Sequence, residues 1–275
     1  MRVAVIGLGM IGGSVARDLA AGGHEVFGFD RSAAVLRAAR RAGIIVPASG
    51  RGYTALASCD VCVIAVPVSA ASRLIGRLAG SLANVPLVTD VGSTKRSIVR
   101  AAAAAGLGGR FVGAHPLAGD HRAGWHASRP DRFHGATVFL TPTSSVSPAT
   151  LRRARQFWRA LGGRPRELSA AQHDRLLAAA SHLPQLVSSA LGITLASAGV
   201  ARDALGPGGR DVSRLAGSDR RVWSAIAIDN ADQIVPVLRR YARTLHRLCA
   251  AVAGGSRRDV ERRLALANRW HQASE

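Results

Sequence analysis

His115 is followed at once by Pro116 in GAHPLAGDHRAGWHASRPDRF (113–133), which holds three histidines, two prolines and three glycines. So interrupted a stretch is neither helix nor strand throughout. A histidine at a strand end can take a proton from a hydroxyl while a cofactor takes the hydride, because imidazole titrates near working pH. It can equally fill a turn, and the local residues leave both readings open. The irregularly spaced His121, His126 and His134 have no acidic partners at metal-ligand spacing and read as solvated loop residues; no metal is expected. Upstream, Asp90-Val-Gly-Ser93-Thr94-Lys95 closes a strand and opens a helix. Ser93 there is either an N-cap or a side chain facing a ligand crevice. Lys95 is either an ordinary first-turn residue or a sensor for a substrate carboxylate. Downstream, SHLPQ places His182 just before Pro184, where a kink could turn it toward a cleft instead of leaving it in the core. GGRDVSRLAGSDRRVW carries Arg210, Asp211, Arg214 and Trp223. Guanidinium grips carboxylates bidentately, so one arginine could anchor an acidic substrate while Asp211 orients it; a surface ion pair is the alternative.

The N-terminus says what such a site would work with. Gly7-Leu8-Gly9-Met10-Ile11-Gly12 matches G-x-G-x-x-G between an apolar strand and a helix. The three glycines then serve, in order, a tight turn, close approach of backbone to pyrophosphate, and close helix–strand packing. Asp30 ends the next strand, 18 positions after Gly12, where an acid would hold the adenosine ribose hydroxyls. That favours NAD over NADP, although the neighbouring Arg31 could accept a 2′-phosphate.

These residues need a scaffold, and the first half supplies strand–helix alternation. Strands are expected at 2–7, 25–30, 60–67, 86–92, 110–115 and 137–142, with helices at 11–23, 32–43, about 70–82 and 151–161. Near-continuous apolar strands imply a parallel sheet covered on both faces. RPREL (164–168) extends this domain. From Ser169 onward only helical spacing is found, in 170–200, 220–253 and 257–272, with Pro236 expected to kink or break the second segment. The expectation is an α/β chain: a Rossmann-type domain (1–168), then an all-α domain (169–275) whose apolar face serves a homodimer, with no further domain after it.

Composition narrows the alternatives. The formal net charge is +20, but only one basic residue, Lys95, is a lysine, and aromatic content is 4%. Dispersed arginine with few stacking platforms argues for small anionic substrates over nucleic acid. Cys59 and Cys62 form a C-x-x-C in an apolar run with no second pair, and read as core thiols. The apolar N-terminus resembles a signal peptide, but its glycines and Asp18 fit strand, loop and helix better. No membrane association is expected, and the cytoplasm is the expected compartment.

Taken together, GLGMIGGS, AVPV, DVGSTK, GAHPLAG with GATVFLTP, HDRLLAAASHLPQ and GRDVSRLAGSDRRVW resemble the prephenate/arogenate dehydrogenase family of tyrosine biosynthesis, in family order from Gly7 to Trp223. The resemblance implies NAD-dependent oxidative decarboxylation of prephenate, or of arogenate, in a cleft between a Rossmann-type domain and a helical dimerisation domain. It implies that His115 is the catalytic histidine and Ser93 the serine contacting the same hydroxyl. Arg214 would bind a substrate carboxylate, with His182, Asp211, Trp223 and Lys95 near the substrate. Gly7, Gly9, Met10, Ile11, Gly12, Asp30, Arg31, Val66 and Pro67 would hold the cofactor. Asp120 and His121 stand near a position where the family often carries an acid, and Gln185 replaces the second histidine of SHLPH. A β-hydroxyacid dehydrogenase is a rival, but it needs a lysine in its second half, where this chain has none. A nucleotide sensor without chemistry is another.

Overall fold

The computed structural model describes residues 1–46, 53–120 and 122–273. Two compact units are present, 1–230 and 231–275. The first is built on a seven-stranded sheet in the order β2-β1-β3-β4-β5-β6-β7. Its strands are β1 (Arg2–Ile6), β2 (Glu25–Phe29), β3 (Val61–Ile64), β4 (Leu87–Asp90), β5 (Phe111–Pro116), β6 (Thr137–Thr141) and β7 (Arg164–Glu167). β1 to β5 run parallel, and β3 and β4 are buried along their whole length because helices cover both faces.

On one face α1 (Met10–Ala21), α2 (Ala33–Arg41) and α5 (Pro148–Ala160) bury Val15, Leu19, Ala39, Phe157 and Trp158. On the other, α3 (Val68–Leu82) and α4 (Arg96–Ala104) bury Ile75, Leu78, Ile98 and Ala102. Serine hydroxyls start two of these helices, with Ser32 accepting from the Val35 amide and Ser147 from the Thr150 amide; the second helix, α5, thus begins three residues before the expected 151. Cys59 and Cys62 are core residues; burial raises both thiols, Cys59 to about 11.

The sheet departs from the sequence expectation at β5/β6, which pair antiparallel, with His115 opposite Phe139. Among the described residues of the connection 117–136 there is no crossover helix, and the chain returns in the opposite direction. β7 then pairs parallel to β6.

Helices α6 (Ala170–Leu177), α7 (Leu183–Ser197), α8 (Pro207–Val212) and α9 (Arg220–Asp229) complete the first unit. A π-type turn over Ala178–His182 joins α6 to α7 and absorbs the amide missing at Pro184. Among the described residues this run, Ala170–Ser197, is the one with length and mean hydropathy (1.3) enough to cross a membrane. It nevertheless carries His173, Asp174, His182 and Gln185, all buried within the unit. The expected break at Pro236 is absent. The interruption falls at Asn230, and Pro236 lies inside α10 (Ala231–Ala253), near its start, where one missing amide costs a single helical bond. The second unit consists of α10 and α11 (Arg257–Gln272) and carries exposed apolar side chains, among them Leu245, Leu264 and Leu266.

Candidate active site

Parallel strands of a doubly wound sheet present their carboxyl ends to one crevice, deepest where strand order reverses. Here the reversal lies between β1 and β3, and a cavity of about 360 Å³ opens above it. Its wall takes Gly9, Met10 and Ile11 from the end of β1, and Ala65, Val66, Pro67 and Val68 from the end of β3. Val91, Gly92 and Ser93 follow β4, and His115 and Pro116 close β5. The loop after β5 adds Gly119, Asp120, Arg122, Ala123 and Gly124, and Ser218, Asp219, Val222, Trp223 and Ile226 complete the wall at the start of α9.

The glycine loop is shaped for a dinucleotide. Gly7 has φ +95°, and a Cβ there would lie 2.3 Å from the Ala65 carbonyl oxygen. A Cβ on Gly12 would lie 1.9 Å from the Gly7 carbonyl oxygen. Gly9 differs, since a Cβ there would meet nothing within 4 Å; its open side belongs to the cavity. No side chain caps α1, which leaves its first amides for phosphate oxygens. Asp30 stands beside this loop, accepting from the Leu8 and Ser32 amides at 2.8 Å each. Arg31 is exposed next to it. Backbone clearance, free helix amides and a carboxylate at the end of β2 together fit NAD.

His115 is buried at the end of β5 and reaches the cavity wall. Burial, then the neighbouring His173, Lys95 and His182, hold its imidazole well below the ordinary value. The ring is therefore held in its neutral form, with a lone pair free, below as well as above the usual imidazole midpoint. Its backbone is fixed from the preceding residue: the Ala114 amide donates to Asp90 Oδ1 (3.0 Å) and the Ala114 carbonyl accepts from Lys95 Nζ (2.8 Å).

Lys95 requires a correction. Its ammonium is fully buried in an ion pair with Asp90, so it does not meet a substrate carboxylate; it stiffens the strand end that carries His115. Ser93 is not the N-cap of α4, a position that Lys95 takes. The α4 amides of Lys95 and Arg96 are instead satisfied by Asp174 from α6, at 2.8 and 3.0 Å. Ser93 is left on the cavity wall.

The remaining predicted residues divide. Trp223 lines the cavity, and His182 packs behind it with ring centroids 6.0 Å apart. His182 is buried, with Nδ1 3.3 Å from Asn230 Nδ2. Burial lowers it to about 4, against the pull of Asp174. Arg214 and Asp211 do not join this cavity. They are exposed, 3.7 Å apart, and Arg214 borders a separate apolar hollow of about 680 Å³ with Gly192, Leu195, Leu205 and Ala216. α7 holds that turn, through Gln185 Nε2 donating to the Leu215 carbonyl (2.7 Å) and Ser188 Oγ accepting from the Ala216 amide (3.1 Å). Gln185 is thus a structural clamp.

Sequence reasoning missed Arg122, a cation on the wall of the His115 cavity, where its Nε donates to Asp120 at 3.0 Å. It also missed Arg132, whose buried guanidinium donates to Ser14 Oγ and to the carbonyls of Ala118 and Ala127, pinning the loop after His115 onto α1. Arg17 assists from α1, stacked 4.3 Å over Trp125. His126 and His134 are exposed, and His121 lies outside the described residues.

Comparison with known proteins agrees with this geometry. Residues 15–166 match the family model described as prephenate dehydrogenase, nucleotide-binding domain, and residues 169–266 match that of the prephenate dehydrogenase dimerization domain. Cyclohexadienyl dehydrogenase of Zymomonas mobilis is 30% identical over 260 residues, covering 91% of this chain and 88% of its own length. The crystal structure of prephenate dehydrogenase from A. aeolicus with hydroxyphenyl propionate and NAD+ superposes with a TM-score of 0.89 at 26% identity, covering 100% of this chain and 98% of that one. Synechocystis arogenate dehydrogenase superposes at 0.83 with 28% identity, over the whole of both chains. A glycine loop and a strand-end histidine on one cavity, in a chain matched by both domain models, identify it as a member of the prephenate dehydrogenase family, an NAD-dependent dehydrogenase of tyrosine biosynthesis.

Proposed function

We propose that this chain oxidatively decarboxylates prephenate to 4-hydroxyphenylpyruvate, with arogenate as the second candidate substrate. The observation that carries the reading is that His115, Ser93 and the Gly9–Ile11 loop line one cavity. Bound NAD+ supplies the hydride acceptor. The protein's own work is to position the ring and to handle a proton. The neutral His115 accepts the proton of the ring hydroxyl, and Ser93 orients that hydroxyl by hydrogen bonding. Hydride leaves the carbinol carbon, the ring carboxylate departs as CO2, and its bonding electrons enter the ring as it becomes aromatic. Aromatisation drives the step, so no strong acid or base is needed.

Prephenate carries two carboxylates, and Arg122 is the cation on the cavity wall among the described residues. In this reading Arg122 exchanges Asp120 for a substrate carboxylate. Arg214 takes that role only if its turn moves toward the cavity. The functional division is 1–168 for cofactor and 169–275 for substrate and assembly. The exposed apolar side chains of α10 and α11 support a homodimer formed through the helical part. The family and the composition support a cytoplasmic enzyme.

Following NADH formation with prephenate or arogenate, each paired with NAD+ or NADP+, tests the assignment directly. Prephenate with NAD+ should give the highest kcat/KM. Turnover of arogenate alone would move the chain to the second reading. His115→Asn should lower kcat by about 10²–10⁴-fold with NAD+ affinity retained.

A further inference from the structure

Behind His115, on the side away from the cavity, stand two polar residues to which neither composition nor motif gave a role. His115 Nδ1 lies 2.9 Å from His173 Nε2, and His173 Nδ1 lies 2.8 Å from Asp174 Oδ1. All three side chains are buried. We propose that His173 and Asp174 are positioning residues that hold His115 as its Nδ1–H tautomer, reserving Nε2 as the acceptor of the substrate hydroxyl proton.

The direction of the chain follows from donor counting. Asp174 receives four donors: Oδ1 accepts from the Lys95 amide and faces His173 Nδ1, while Oδ2 accepts from the Arg96 amide and from Arg96 Nε. A carboxylate so loaded is ionised and only accepts. Burial pushes its carboxyl up, but the bonds from His173 and the Arg96 and Lys95 amides outweigh this and hold it below the ordinary range. His173 Nδ1 must then carry a hydrogen. Burial keeps His173 neutral despite Asp174, so its Nε2 has a lone pair and accepts. The hydrogen between the two imidazoles therefore sits on His115 Nδ1. Nε2 is left bare on the ring that reaches the cavity.

The other charged groups around this pair are already committed. Lys95 binds Asp90 and the Ala114 carbonyl, and His182 faces Asn230 and Trp223. When Nε2 takes the hydroxyl proton, the new positive charge is shared along hydrogen bonds that end on the Asp174 carboxylate. No second transfer is needed. In a Ser-His-Asp site the same logic costs about 10⁴-fold in kcat when an amide replaces the carboxylate and the wrong tautomer results. Asp174 adds a second function, because Oδ1, which faces His173 Nδ1, also accepts from the Lys95 amide while Oδ2 accepts from the Arg96 amide, capping the start of α4 shortly after Ser93. One carboxylate thereby sets both groups that meet the hydroxyl.

The inference rests on the reading of His115 as the base, and its test has a readout that does not depend on substrate. In resting enzyme labelled with ¹⁵N-histidine, His115, assigned by its loss in His115→Asn, should show a protonated Nδ1 and a bare Nε2. His173→Phe, which can keep the edge-to-face packing on Phe139, should lose this preference and lower kcat by about 10–100-fold. KM and NAD+ affinity should stay within about twofold in that variant, because the removed contact faces away from the cavity. His173→Gln, whose amide oxygen can accept from Nδ1–H, should recover most of the loss. A wild-type spectrum with Nε2 protonated would overturn the proposal, as would a His173→Phe enzyme with normal kcat and an unchanged His115 spectrum. Wild-type protein inactive on prephenate but showing the Nδ1–H spectrum would overturn the substrate reading and still support the tautomer assignment.

Discussion

The ammonium of Lys95 donates to the carbonyl of Ala114, one residue before His115, while the carboxylate of Asp90 accepts from the amide of the same alanine. Both side chains are wholly buried and paired with each other. Removing one partner of such a pair strands a charge in the core at a cost of about 3–5 kcal/mol. Lys95→Met should therefore lower the stability read from urea unfolding by about that amount. A loss below about 0.5 kcal/mol, the scale of an ordinary surface substitution, would show that the pair carries little.

The glycine loop separates packing from ligand binding. Gly12→Ala forces a Cβ against the Gly7 carbonyl and the Ala65 side chain, and should cost both stability and NAD+ affinity. Gly9→Ala meets nothing within 4 Å, at a φ of −72° that alanine accepts readily. It should leave Tm unchanged while weakening NAD+ binding by about tenfold or more, because the added methyl occupies the pyrophosphate's approach. Calorimetric titration beside a melting curve reads the two effects separately.

The proposed function leaves two arginines as candidates for the substrate carboxylate, Arg122 on the His115 cavity and Arg214 on the separate hollow. Arg122→Ala should raise the KM for prephenate by about tenfold or more with kcat little changed, whereas Arg214→Ala should have a small effect. The reverse order in steady-state kinetics would show that the turn holding Arg214 closes on the substrate during turnover.

His182 makes stability depend on acid. Its folded value of about 4 lies under the unfolded imidazole value of about 6.5. Between these limits the unfolded chain takes up a proton that the native state refuses, so stability falls as pH drops through this window and levels off below it. At neutral pH the histidine is unprotonated in both states and this term vanishes. His182→Gln removes the proton uptake, so its stability relative to wild type should improve on going from pH 6.5 to 4. Parallel urea midpoints for the two proteins across that range would count against the assignment.

Much of this molecule was readable because its signals are local. The G-x-G-x-x-G loop and the apolar strand runs are each settled within about ten residues of chain, and α3 and α11 lie where helical spacing puts them. What escaped depends on partners distant in sequence. The direction of β6 follows from how 117–136 returns, not from TVFLT itself. Lys95 looked like a surface cation because its burial is decided by Asp90 and Ala114. His173 and Asp174 stood in HDRLLAAASHLPQ without an assigned role, and only the contacts of α6 with His115 and with the start of α4 give them one. Arg214 and Asp211 were expected at a substrate, with a surface ion pair as the alternative; the structure shows that ion pair, and the hollow that Arg214 borders could not be told from the His115 cavity. The failed break at Pro236 shows how little one missing amide matters close to a helix start.

The antiparallel ladder between β5 and β6 has a consequence for how this enzyme could change its diet. His115 sits opposite Phe139 in a register that continues through Gly113, Ala114 and Pro116, and a slip of one residue would turn the imidazole to the opposite face of the sheet. Chemistry is thus written into a part of the molecule that tolerates no drift. Asp120, Arg122 and Ala123 on the loop, and Val222 and Trp223 at the start of α9, line the same cavity outside any ladder. Under the proposed function, a keto acid could be exchanged for an amino acid there by altering the rim, with His115 left untouched.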